Sequence, residues 1–338
     1  MRILTAILIS VFATTLSLAQ TVFTVDNLSK QYYGKIQISD TSEVFSKGWV
    51  AIYDRKTNKQ LIRVVSDELA MSLHKGKAIA NIKSLPYGEQ SLIMYDDFNF
   101  DGKKDFAVCD GQNSCYHGPS FKIYLANANS FLYSKEFTRL AQEYCGMFHA
   151  DPKTKKIHTM TKSGCCWQEA SEFIVVNNKP KAIRISTYEQ DRQFHTFTEE
   201  VWNGKSMTKK TIRTIDIGQE GIEEILSFTV RANEKHVILY INDGTLNYAL
   251  LRKDGSLEFA WPAEPLPEKP AFLLEGAPNN LTVTFKNANA SYRIYERSGE
   301  VGMAITADGK TYNWIGDVKT KEGSLNKLRK AKPGNMGE

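Results

Sequence analysis

Short runs in which apolar and polar residues alternate, each closed by turn formers, recur along most of the chain. Trp49–Tyr53 alternates into Asp54-Arg55-Lys56-Thr57-Asn58-Lys59 and out again through Gln60–Val65, which predicts a hairpin. Within Tyr87–Val108, the segments Leu92–Tyr95 and Phe106–Val108 read as strands around an acidic loop. Phe121–Leu125 and Phe131–Tyr133 pair about Asn127–Ser130, and Ile157–Thr161 is a further strand. Phe173–Val176 and Ala182–Thr187 flank Asn177-Asn178-Lys179-Pro180. Asn203-Gly204, between Phe194–Trp202 and Ser206–Ile212, is the strongest short hairpin signal, because a tight two-residue turn needs positive φ at its centre. One segment changes period. In Lys135–Tyr144 the residues Phe137, Leu140, Ala141 and Tyr144 recur at helical spacing, with Ser134 as a cap and Gly146 as a terminator.

The second part repeats the strand pattern at Val237–Ile241, Asn247–Leu251, Leu257–Trp261, Leu281–Phe285, Tyr292–Glu296 and Val301–Thr306. Asp243-Gly244, Asp254-Gly255 and Asp308-Gly309 supply turns, and Pro262–Pro270 reads as a long connection or exposed edge. A shift to Gly and acidic residues at Asp216–Ile225 marks a boundary between domains at 20–217 and 225–338. The fold class is mainly β, with antiparallel sheets, one short helix in the first part and a second small β domain. Lys319–Lys332 is a basic stretch, read as a solvated tail or last helix.

Met1–Ala19 has the form of a cleavable leader: Arg2, the apolar run Ile3–Phe12, and the small residues Ser17 and Ala19 before the cut. No cysteine follows that cut, and no later stretch approaches a membrane span. The expected location is the periplasm. A net charge of +5, reduced to +4 without Arg2, is too mild and too scattered to argue for nucleic acid. A little over 300 residues remain, which suits two domains.

The chain's most distinctive stretch is Asp97-Phe98-Asn99-Phe100-Asp101-Gly102-Lys103-Lys104-Asp105, or D-x-N-x-D-G-x-x-D. A hard cation such as Ca2+ needs six or more converging oxygens, and glycine permits the sharp turn that brings the last of them round. The expected ligands of one structural Ca2+ are the side chains of Asp97, Asn99, Asp101 and Asp105 and the carbonyl of Lys103. Val108 stands where an EF-hand carries its glutamate, so the loop resembles the single loop of FG-GAP and related β-repeat proteins. The competing reading is an Asp/Asn-rich turn without metal.

Five cysteines, Cys109, Cys115, Cys145, Cys165 and Cys166, fall within 58 residues. In an oxidising compartment such clustering suggests cross-links. Cys109 and Cys115 can close a small loop after the metal site; Cys145 can then pair with Cys165 or Cys166, or those neighbours with each other. The odd count leaves a thiol over. Zinc held with His117, His149 or His158 is a weaker alternative, since no C-x-x-C spacing occurs. Tyr116, His117 and Trp167 lie in turns expected beside the metal loop and the cysteine pair, where they are candidate anchors for a partner's cleft. Their bland reading is ordinary packing.

Four motifs stand in one order: D-F-N-F-D-G-K-K-D-F-A-V at Asp97–Val108, Gly118-Pro119-Ser120, Y-C-G-M-F-H-A-D at Tyr144–Asp151, and K-S-G-C-C-W at Lys162–Trp167. Over roughly Tyr87–Thr187 the chain resembles periplasmic calcium-binding immunity proteins that accompany bacterial antibacterial secretion-system effectors, among them inhibitors of lysozyme-like peptidoglycan hydrolases. The resemblance implies a propeller-like β domain with one Ca2+ and a peptidoglycan hydrolase as partner. It departs at Gln168, where histidine is expected after the tryptophan, and in its extra cysteines. The other reading is an envelope scaffold or glycan-binding protein with a structural Ca2+. No catalytic residues are assigned: Ser206-Met207-Thr208-Lys209 matches S-x-x-K without its partner motifs, and no G-x-S-x-G, H-E-x-x-H or Walker loop occurs.

Overall fold

A computed structural model describes residues 21–71, 73, 75–82, 91–128, 130–262 and 270–337. The expected leader Met1–Ala19, the start of the Tyr87–Val108 stretch and residues 263–269 of the proline run lie outside them. Among the described residues no helix is long and apolar enough to cross a membrane. The described residues are nearly all β, in antiparallel meanders resembling propeller blades, and include two short α-helices.

The first four-stranded meander is Thr21–Val25, Tyr32–Ile38, Ser46–Asp54 and Gln60–Leu69. The second is Ile93–Asp96, Asp105–Gly111, Ser120–Asn127 and Ser130–Tyr133. They share one apolar core centred on Val50, Ile52, Phe106, Phe121 and Phe137. Six strands from His149–Asp151 to Met207–Ile215 follow in chain order in a third sheet. Ile222–Thr229 to Leu257–Trp261 form a fourth, and Phe272–Ala277 to Lys310–Ile315 a fifth. The predicted hairpins are present, and their turns lie where the residue types demand: Asn177 and Asn178 at φ 51° and 57°, Asp243 and Gly244 at 49° and 70°.

Two readings change, and a third is decided between its alternatives. The helix spans Lys135–Leu140 only, with Ser134 accepting the Phe137 N–H as expected. Beyond Ala141 the chain leaves the helix because Cys145 N donates to Met160 O at 2.7 Å and Gly146 N to Ser114 Oγ at 3.2 Å. Its apolar face is buried nonetheless.

The division into compact units also falls earlier than Asp216–Ile225. One unit runs to Lys162 and adds Glu169–Ile185; the other holds Ser163–Gln168 and Ser186–Glu338. The reason is apolar: Phe194, Ile215, Ile217 and Ile222 pack on a cluster of Ile238, Tyr240, Ala249 and Leu257, which ties the strands before 216 to those after it.

Of the two readings of the basic stretch, the last helix is the one observed, at Asn326–Ala331, and it is not a loose tail. Leu325 and Leu328, flanking the start of the helix Asn326–Ala331, are buried in the second unit's core. Glu322–Gly323 pairs with Leu226 and Ser227, and Met336–Gly337 runs parallel to Phe272–Leu273. The buried Glu296 carboxylate binds Lys321 and accepts hydrogen bonds from Ser324 Oγ and Leu325 N at 2.8 and 2.7 Å.

Candidate metal centre

The acidic loop follows the strand Ile93–Asp96 and returns into Asp105–Gly111. Phe98 pins it from below, 1% exposed and edge-on to Phe148 at 5.5 Å. With that anchor inside, the polar side chains fold over the loop. The Asp97 carboxylate accepts the N–H of Asp101 at 3.1 Å and of Gly102 at 2.8 Å. Asn99 Oδ1 accepts the Asp101 N–H at 3.2 Å, and Asp101 Oδ1 that of Lys103 at 2.8 Å. Gly102 has a φ of +86°, the left-handed turn for which its residue type was required. Asn99 Nδ2 also donates to Asn178 Oδ1 at 3.2 Å, tying the loop to the 177–178 turn.

Asp105 is fully buried. Its Oδ2 accepts the Phe98 N–H and its Oδ1 the Ala126 N–H, both at 2.8 Å. Burial pushes its pKa up to about 6; the two amides partly offset this, and the charges of Asp101 and Asp97 add to the rise. Among the described residues no three His, Cys, Asp or Glu side chains gather as a ready metal group. The expected ligand Asp105 is turned instead to main-chain amides. The donor set still suits a hard cation: each carboxylate oxygen holding one N–H retains a lone pair, Asn99 and the Lys103 carbonyl are neutral oxygens, and a divalent ion would relieve the repulsion felt by Asp105.

The cysteine pairing differs from the first alternative above. Cys115 bonds Cys145, Cys165 bonds its neighbour Cys166, and Cys109 is the free thiol. Cys109 faces the core within a strand, opposite Phe121 in the ladder, so it cannot reach the turn that carries Cys115. Burial pushes its pKa to about 12, which keeps it a thiol.

The cross-link fixes a tight turn, Cys115–His117, in which Tyr116 and His117 sit at φ 53° and 55°. Both side chains are exposed. Gly118 N donates to Cys115 O at 2.9 Å, and Lys162 Nζ stands 5.3 Å over the Tyr116 ring. Trp167 is half-buried and opens the strand Trp167–Val176 just after the Cys165–Cys166 bond. One expectation fails here: the Tyr116 turn is not beside the metal loop. They sit at opposite ends of the seven-residue strand Asp105–Gly111, about 20 Å apart at the usual rise per residue. In the S-x-x-K stretch, Lys209 is paired across the hairpin with Glu200 at 3.4 Å.

The sequence reading missed a groove next to the metal loop, lined by Tyr32, Asp54, Tyr95, Lys103, Lys104 and Phe131. These come from separate strands and turns, so no local pattern announces them.

No family model matches the sequence, and no curated protein matches it. Among solved structures, a Xanthomonas type IV secretion system related protein aligns with 16% identity and a TM-score of 0.44 over 57% of this chain and 94% of its own. The WD40 domain of Toxoplasma gondii coronin gives 7% and 0.22 over 87% and 80%, and TolB from Acinetobacter baumannii 10% and 0.19 over 88% and 65%. Scores this low carry no argument about function.

Proposed function

We propose that this is an exported calcium-binding protein that binds and inhibits a lysozyme-like peptidoglycan hydrolase, as an immunity-type inhibitor. The observation that carries the reading is the Cys115–Cys145 turn, which holds an aromatic and an imidazole outward with little conformational freedom left to lose. A lysozyme-like groove presents a pair of carboxylates flanking the sugar site. An exposed Tyr116, with Lys162 over its ring and His117 beside it, offers an aromatic face and donors to such a groove. A preformed tip binds tightly because its ordering cost is met during folding.

Calcium would act at a distance. It would pin the start of the strand Asp105–Gly111, whose far end leads into the turn, and would not touch the partner itself. The test is a muramidase assay with the hydrolase encoded nearest the gene. Tyr116→Ala with His117→Ala is expected to raise the inhibition constant about 30-fold, the size of a hot-spot loss, and EDTA to raise it by less. Absence of inhibition by the intact protein removes the reading. Co-sedimentation with purified peptidoglycan in its place supports the envelope-scaffold alternative.

A further inference from the structure

At the metal-loop end of the first unit, the groove missed by sequence has a volume of about 360 Å³. Its floor is aromatic. Tyr32 meets Tyr95 at 5.8 Å and Phe131 at 5.5 Å, all three half-buried around the fully buried Phe106. Its rim is charged: Lys103 and Lys104 come from the loop, and Asp54 from the end of Ser46–Asp54. Lys104 Nζ lies 5.7 Å from the Tyr95 ring centre, and the Lys103 ammonium has no ion pair or hydrogen bond among the described residues. Asp54 commits Oδ1 to Thr57 N and Oγ1 at 2.8 and 2.9 Å, which leaves Oδ2 as an acceptor.

We infer that this groove binds a short saccharide bearing a carboxylate. A pyranose ring lays its C–H face on an aromatic side chain, and its hydroxyls need donors and acceptors together, which the tyrosine hydroxyls and Asp54 supply. Two ammonium groups against one carboxylate leave the rim net positive, which selects an acid over a neutral sugar. The polar lining argues against an extended apolar ligand. One wall is continuous with the metal loop, since Ala126, which also lines the groove, donates its N–H to Asp105. The inference does not rest on hydrolase inhibition, and its test separates the two.

The experiment titrates the full chain, by calorimetry and saturation-transfer NMR, with N-acetylglucosaminyl-N-acetylmuramic acid and with N,N′-diacetylchitobiose, which lacks the lactyl carboxylate. The acidic disaccharide is expected to bind at least about tenfold more tightly, a difference of one exposed charge contact or two. Lys103→Ala with Lys104→Ala, both at exposed positions, should erase that preference while leaving the melting curve unchanged. Tyr95→Phe should weaken both sugars. No binding of either sugar at millimolar concentration, equal binding of the two, or a preference that survives the double lysine variant overturns the inference. Acid binding without inhibition of any hydrolase leaves the groove standing and removes the function proposed above; inhibition without sugar binding does the reverse.

Discussion

Opening the Cys115–Cys145 bond separates two cross-links that look alike in the sequence. Its cysteines are 30 residues apart, whereas Cys165 and Cys166 are adjacent. A cross-link restricts the unfolded chain by an amount that grows with the logarithm of the loop it closes. For a loop of this length the chain-entropy relation gives roughly 3–4 kcal/mol, and for neighbours only about 1 kcal/mol. The double variant Cys115→Ser with Cys145→Ser should therefore lower the stability of the first unit by ~3 kcal/mol. Cys165→Ser with Cys166→Ser should lower the stability of the unit that holds it by no more than about 1 kcal/mol. Because a chain of two units need not unfold in one step, the assay is native-state hydrogen exchange, read on the amides of Asp105–Gly111 and Ser120–Asn127 for the first variant and on those of His236–Asn242, in the unit that holds Cys165 and Cys166, for the second. A loss below about 1 kcal/mol for the first variant, or equal losses for the two, refutes the reasoning.

Three further outcomes are expected. Asp105 titrates near 6 in the fold against an ordinary 3.8, so its proton favours the folded state. That contribution, ~3 kcal/mol, is complete below about pH 4 and is lost as pH rises through about 6. In EDTA the melting temperature should fall across that window and Asp105→Asn should flatten the curve; a flat parent curve contradicts the burial argument. Asn335 bonds both the N–H and the C=O of Leu246 at 2.9 Å, so Asn335→Ala orphans two buried groups and should cost ~2–4 kcal/mol, seen as faster exchange of the Leu246 amide. At Gly48 a Cβ would sit 2.1 Å from Gln37 O, inside the ladder of the first sheet. Gly48→Ala should lower the melting temperature by several degrees, and a neutral result would show that the strand can shift.

How much was legible depended on whether the signal was local. Asp243-Gly244 and Asp308-Gly309 carry their turn chemistry in two residues, and the strands around them follow; at Asn203-Gly204 the hairpin forms but closes through four residues, Asn203–Ser206, with Gly204 at positive φ and Asn203 not. The strands Thr21–Val25 and Tyr32–Ile38 went unread, as did Phe272–Ala277 and Lys310–Ile315. The last of these is an edge strand whose residues are mostly exposed, so no alternating face marks it. The helix stopped early because of bonds made by Cys145 and Gly146 to residues distant in sequence. For the site, the donors of the metal loop were readable from their spacing, but the burial of Asp105 depends on Ala126, 21 residues away. The distance between the loop and the Tyr116 turn became visible only once Asp105–Gly111 was known to be an extended strand.

Titration of calcium into EDTA-treated protein, followed by calorimetry and by the melting temperature, bears most directly on the central claim. One site per chain is predicted, with a gain of ~2.7 kcal/mol at a calcium concentration 100 times the dissociation constant and no gain for Asp97→Ala with Asp101→Ala. No heat of binding, with identical melting in calcium and in EDTA, would contradict it.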